Sequence, residues 1–159
     1  GIGTMVVDEK LESLREASVD DVGGILKLID PFEKDGTSVK RNRTEIERDV
    51  GLYTVIEHDG VIFACAALYA YPDARTAELA ALTVSPDVQG QGDGERVLKR
   101  IEQRAKLAGL DSIFVLTTRT MHWFIKRGFE QADPDWLPEA RKRKYNWDRK
   151  SQVLVKKIN

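Results

Sequence analysis

The sequence predicts an α/β domain built on a mixed sheet with helices over its faces. Three observations carry this. Apolar, β-rich runs alternate along the chain with stretches of helical spacing. Two runs, "LYTVIEH" and "VIFACAALYAY", are joined by Asp59-Gly60, a strong hairpin signal, whereas "SIFVLTT" and "SQVLVKKI" each follow a helix-length segment that suits a longer connection. At 159 residues and 42% apolar content, the chain can bury a core and fits one domain.

The elements follow in order. "SLREAS" reads as a first short strand. "SVDDVGGILKLIDPFE" opens with Ser18 as an N-cap and acids in the first turn, and carries Val22, Ile25, Leu26 and Ile29 at helical spacing. A second helix is expected around Thr44 to Val50, after the basic loop "SVKRNR". The hairpin comes next, then "RTAELAALTV", a strand closed by Pro86, which has no N–H for a ladder. A helix after three glycines places Val97, Leu98, Ile101, Ala105 and Ala108 on one face and stops at Gly109. "SIFVLTT" is a strand, "MHWFIKRGF" a short helix ending at Gly128, and "SQVLVKKI" the last strand.

Charge and composition exclude several roles. Basic and acidic residues nearly cancel, leaving a net charge of −1, which argues against a nucleic-acid or membrane-surface protein. No apolar stretch approaches the roughly 20 residues that span a bilayer, and "GIGTMVVDEKLE" lacks the pattern of a secretion signal. Cys65, the single cysteine, can form no internal disulfide, so a reducing, cytoplasmic setting is expected. With two histidines and that cysteine far apart, no metal site is expected. His58 is expected to face solvent before the hairpin turn, and His122 to pack beside Trp123.

Gly90, Gly92 and Gly94 lie between a strand and the first turn of a helix. There, unpaired N–H groups and the positive end of the helix dipole converge, which suits an anion. A dinucleotide fingerprint would need glycine where Glu95 stands, and a P-loop would need Lys-Ser/Thr after Gly94, where the chain has Glu95-Arg96.

The spacing that fits is Gln89-x-x-Gly92-x-Gly94 directly after "VSP". It resembles the pyrophosphate loop of the GCN5-related N-acetyltransferase superfamily. The resemblance implies acetyl-coenzyme A, with its pyrophosphate on the amides of Gln89, Gly90, Gln91, Gly92, Asp93, Gly94 and Glu95, and its pantetheine arm beside Leu82, Thr83 and Val84. It also implies that superfamily's fold, a mixed, mostly antiparallel sheet of about six or seven strands flanked by about four helices. Asp93 stands where the superfamily usually has an aliphatic residue and is expected to point to solvent.

The likeness extends further. "FEKDGTSVKRNR", "IEHDGVIFACAALY", "AELAALTVSP", "FVLTTRTMHWFIKRGF" and "LPEARKRKYNWDRKSQVLVK" together resemble the acetyltransferase domain of the bacterial N-acetylglutamate synthase family, from about Leu14 to Lys156. That family acetylates the α-amine of L-glutamate in arginine biosynthesis. The resemblance implies residues 13–159 as the acetyltransferase domain, and residues 1–12 as the tail of a linker from an upstream amino-acid-kinase-like domain.

Such a reaction needs a neutral amine, donors for a developing oxyanion and a proton for the leaving thiolate, but no enzyme nucleophile. Cys65 is accordingly read as a small buried hydrophobe. Glu78 interrupts an apolar strand on the face of Ala80, Leu82 and Val84, and is the candidate base, acting through water. The oxyanion is expected at a backbone N–H near Ala81 or Leu82, where strands of this superfamily often bulge. Many superfamily members place a tyrosine acid where this chain has Phe124. The family has a Ser/Thr near the thiol at the position of Thr117, which is read either as a structural strand threonine or as the proton donor. Trp123 is a core or coenzyme-wall residue.

Two carboxylates on glutamate call for arginines. Arg41, Arg43, Arg149 and Ser151 are candidates, and Arg41, Arg149 and Ser151 match the family's substrate positions. The run "RKRK" at 141–144 is read as a solvated helix face. Two alternatives stay open: an acetyltransferase for another amine, and a non-catalytic acetyl-coenzyme A sensor, which would need neither Glu78 nor the arginines.

Overall fold

A computed structural model describes residues 12–159. The linker tail expected over 1–12 lies outside the described residues, except that Glu12 opens the first strand. Seven strands follow: β1 (Glu12–Glu16), β2 (Tyr53–His58), β3 (Val61–Tyr71), β4 (Thr76–Val84), β5 (Ser112–Thr117), β6 (Glu130–Ala132) and β7 (Gln152–Lys157). Five helices accompany them: α1 (Val22–Lys34), α2 (Arg43–Asp49), α3 (Asp93–Leu107), α4 (Met121–Ile125) and α5 (Glu139–Lys142). The sheet order is β1-β2-β3-β4-β5-β7-β6. Pairs β1/β2, β2/β3, β5/β7 and β6/β7 are antiparallel and β4/β5 is parallel, so the expected mixed, mostly antiparallel sheet is present.

The chain contacts group into two compact units, one reaching to Ala67 and adding Ala81–Ile101, the other formed by Leu68–Ala80 and Glu102–Asn159. In the first unit, the Asp59-Gly60 turn joins β2 to β3 with both residues at positive φ (55° and 81°), as a two-residue hairpin turn requires. Val22, Ile25, Leu28 and Ile29 of α1 are buried, so Leu28 takes the place expected for the half-buried Leu26. An Asn42 cap starts α2: Glu45 N donates to Asn42 Oδ1 at 2.8 Å, and Asn42 N donates to Glu45 Oε1 at 3.2 Å. Arg15 of β1 donates to both oxygens of Asp21, at 2.7 and 2.9 Å, and also pairs with Glu57 of β2.

In the second unit, β4 and β5 pair from Thr76↔Ser112 to Glu78↔Phe114. Phe114, Leu137, Tyr145 and Val153 form a buried cluster, with Tyr71, Leu116 and Val155 packed against it. Gly109 (φ 79°) and Gly128 (φ 97°) end α3 and α4 in the left-handed conformation expected of C-terminal glycines. Leu110 N donates to Ala105 O and Phe129 N to Phe124 O across these ends. Ala108 is exposed, and Leu110 is buried in its place. The three-residue β6 has no apolar alternation and exists by pairing with β7, from Glu130↔Val155 to Ala132↔Val153.

Two outcomes test this packing. Phe114→Ala should lower unfolding free energy by about 3–5 kcal/mol in urea melts, as expected for a fully buried ring. The hydrogen bonds from Arg15 hold the Asp21 carboxyl below its ordinary range. Asp21 therefore contributes stability above its unfolded pKa, and that contribution is lost as pH falls through the acidic range below about pH 4. Arg15→Met should flatten the acid fall in Tm over that range.

Candidate active site

The first unit supplies a backbone site. Within β4, Ala81 adopts φ 58°, a left-handed value that costs a non-glycine residue roughly 1–2 kcal/mol and breaks the extended run. Its carbonyl accepts from Thr83 Oγ1 at 3.0 Å and from Cys65 Sγ at 3.5 Å. Leu82 and Val84 are half-buried, and Thr83 is buried. The strand then turns at Ser85, whose N–H donates to Phe63 O at 2.7 Å and whose hydroxyl accepts from Asp87 N at 3.3 Å. Gln89 Nε2 reaches back to Val84 O at 3.2 Å.

Gly90 and Gly92 have φ of 88° and 87°, and a Cβ built on either would meet nothing within 4 Å. The glycines there answer to backbone conformation, not to crowding. Gln91 is exposed between them, and the Asp93, Gly94 and Glu95 amides begin α3, where an α-helix leaves N–H groups without intrahelical acceptors. The loop thus has the open space and first-turn amides that a pyrophosphate needs. Asp93 corrects an expectation: it is buried, its side chain 7% exposed, and Arg96 Nη1 lies 3.2 Å from its Oδ1. An anion at a helix start, paired three residues on, is favoured there over solvent.

Arg41 is half-buried; its N–H donates to Glu33 Oε2 at 2.8 Å and its Nη1 to Val39 O at 3.0 Å. Arg43 is exposed at the start of α2. Cys65 is fully buried, and burial pushes its thiol up to about 12, opposed by the charge of Arg41 and by the neighbouring Thr83 hydroxyl. It is a packed, unreactive group at neutral pH.

The second unit supplies the side-chain chemistry. Glu78 pairs with Arg141: Nε lies 2.7 Å from Oε1 and Nη2 3.5 Å from Oε2, with side-chain exposures of 12% and 19%. Reading "RKRK" as a solvated face therefore missed Arg141. Its only sequence signal was a cation beside Leu137-Pro138, which anchor α5. Tyr71 stands in the field of this pair; burial and the Glu78 charge raise its phenol, and Arg141 opposes them.

Thr117 Oγ1 accepts from the N–H groups of Arg119 (3.2 Å) and Thr120 (2.9 Å) and shares a hydrogen bond with Thr120 Oγ1 at 2.7 Å. Its hydroxyl shapes the turn into α4. Trp123 is half-buried, edge-on to Phe124 at 4.9 Å, with the Arg127 guanidinium 3.9 Å from its ring centre. Ser151 is buried, and its carbonyl accepts from Tyr145 Oη at 2.6 Å. Arg149 N donates to Asn146 O at 3.2 Å in the same turn. The histidines differ from expectation: His58 is half-buried and edge-on to Phe63 at 6.3 Å, and His122 is exposed. Among the described residues no His/Cys/Asp/Glu group could hold a metal, and no helix is long and apolar enough to cross a membrane.

The profile of the Acetyltransferase (GNAT) family matches residues 12–129, so the chain belongs to that family of acetyltransferases. An amino-acid acetyltransferase of Ralstonia nicotianae is 60% identical over 99% of this chain and 35% of its own length. The amino-acid acetyltransferase of Escherichia coli (strain K12) is 46% identical over 98% of this chain and 35% of its own. The structure of N-acetylglutamate synthase from Neisseria gonorrhoeae, complexed with coenzyme A and N-acetyl-glutamate, superposes with a TM-score of 0.90 at 38% identity. It covers 93% of this chain and 35% of that one. The chain spans about a third of the length of the curated relatives it matches.

Because Cys65 is buried and its thiol raised, native protein should react with an aromatic disulfide reagent at least about 100-fold more slowly than the unfolded chain, as followed by thiolate release.

Proposed function

We propose that this chain transfers the acetyl group of acetyl-coenzyme A to the α-amine of L-glutamate, giving N-acetylglutamate. The observation that carries the reading is the β4 run itself. A carboxylate at Glu78, the left-handed Ala81 and the Gly90/Gly92 turn into α3 follow one another on one continuous stretch. The relatives named amino-acid acetyltransferase, and the N-acetylglutamate synthase complexed with coenzyme A and N-acetyl-glutamate, support glutamate as the acceptor.

Acetyl-coenzyme A would lie along Leu82, Thr83 and Val84, its pyrophosphate on the amides of residues 89–95, and Trp123 would line its path. Glu78 takes a proton from the ammonium of glutamate through water. The neutral amine then attacks the thioester carbon, with the developing oxyanion at an N–H near Ala81 or Leu82. The C–N bond forms and the C–S bond breaks, and the second proton of the attacking nitrogen passes to the leaving thiolate, directly or relayed through the Thr117 hydroxyl or water. Arg41, Arg149 and Ser151 hold the carboxylates of glutamate. With this reading we place the chain in the cytoplasm, and downstream of an amino-acid-kinase-like domain in the full-length protein.

Thiol release from acetyl-coenzyme A, followed with glutamate, aspartate, ornithine or no acceptor, tests it. Glutamate should give turnover, and Glu78→Gln should lower kcat by about 10²–10⁴-fold while coenzyme A still raises the Tm. Turnover with another amine alone would reassign the acceptor. Coenzyme A binding without any turnover would favour a sensing module.

A further inference from the structure

Four consecutive cations, Arg141 to Lys144, run from the end of α5 into the turn after it, and the structure treats them unequally. Lys142 pairs with Glu139 one turn back at 3.1 Å, an exposed contact of little energetic weight. Arg141 instead reaches across to β4, and 63 residues of sequence separate it from its partner Glu78. Neither side chain of that pair is more than a fifth exposed, so neither charge is well served by water alone.

The backbone beneath Arg141 is tied down from several sides. Pro138 O accepts from Arg141 N at 2.9 Å and from Lys142 N at 2.8 Å. Leu137, just before, is buried in the cluster with Phe114, Tyr145 and Val153. Trp136 sets its edge on Phe114 at 5.7 Å, and Tyr71 contacts the same ring at 6.0 Å. On the strand side, Glu78 lies where β4 is laddered to β5 opposite Phe114. The two ends of the ion pair are thus fixed to one buried ring.

We infer that Arg141 is a positioning residue for Glu78: its Nε holds Oε1 tightly at 2.7 Å while its Nη2 reaches Oε2 only at 3.5 Å, so Oε2 is the more weakly held oxygen and the one placed to take a proton. This rests on the reading of Glu78 as the base. A carboxylate on a flexible side chain samples several rotamers, and a base must meet its proton within about 2.6–3.2 Å, directly or through one water. A planar guanidinium, with donors at fixed angles, holds both the carboxylate plane and its direction. Lysine in its place would keep the charge and lose the plane.

The test compares Arg141→Gln, Arg141→Lys and, as a control, Lys142→Gln in the full chain. Arg141→Gln should lower kcat for glutamate about 10–100-fold, with KM for glutamate and acetyl-coenzyme A changed less than about threefold. Arg141→Lys should recover part of that loss, and Lys142→Gln should match wild type. Unchanged kcat in Arg141→Gln, or a loss confined to KM, overturns the inference. Should Arg141→Gln fail to fold, the Lys variant decides. A kcat reduced several-fold at unchanged KM and Tm supports positioning, and a wild-type kcat refutes it.

A second readout does not use catalysis. Glu78 should resist carbodiimide-driven amidation in wild type and become modified at least about tenfold faster in Arg141→Gln, scored by peptide mass. Equal labelling refutes the inference. Absence of glutamate turnover in wild type would instead count against the proposed function, leaving the labelling comparison to stand on its own.

Discussion

The ion pair between Glu78 and Arg141 sets a condition that much of the second unit meets. A carboxylate in the middle of an apolar strand is costly unless a cation is delivered to it, and the cation here arrives from a distant helix of only four residues. So short a helix cannot hold its place by its own hydrogen bonds. It is held by Leu137 and Tyr145, which enter the Phe114 cluster on either side of it, and by the Tyr145 hydroxyl bound to Ser151 O. The same bond fixes the turn that carries Arg149 and Ser151. One aromatic core therefore sets the position of the cation beside the carboxylate and of two of the residues assigned to the acceptor, Arg149 and Ser151.

The first unit works through backbone. Ala81, Gly90 and Gly92 all take positive φ, and only the two glycines do so without cost. The strain at Ala81 is offset locally, since its carbonyl gains two hydrogen bonds, from Thr83 and Cys65. Cys65 thus has a clear job that is not nucleophilic. It fills a fully buried position, and its weak S–H donor helps satisfy a carbonyl displaced from regular strand geometry.

What could be read in advance divides along the same line. Strands with apolar alternation, the Asp59-Gly60 turn, the terminal glycines of α3 and α4 and the glycine loop were legible because each is written locally. Two of the misses, β6 and Arg141, depend on partners far away in sequence. The strand β6 has no pattern of its own and forms only against β7. Arg141 looks like its three basic neighbours until Glu78 is brought to it. Asp93 looked like a misplaced charge beside an anion loop, and the structure gives it Arg96 and a helix start. In α1, Val22, Ile25 and Ile29 fit a helical face completed by either Leu26 or Leu28, and the structure buries Leu28.

The placement of three side chains has a spectroscopic consequence. Trp123, Trp136 and Trp147 all belong to the second unit, and the first contains no tryptophan. They also differ in surroundings: one lies under a guanidinium, one has its edge on Phe114, and one is 63% exposed beside Tyr145. Tryptophan emission therefore reports on one unit alone, with a bluer component from the half-buried Trp123 and redder ones from the exposed Trp136 and Trp147. The lone thiol sits in the other unit. The chain carries one optical and one chemical reporter on opposite sides of its internal division, so partial unfolding of either unit can be told from global unfolding without any added label.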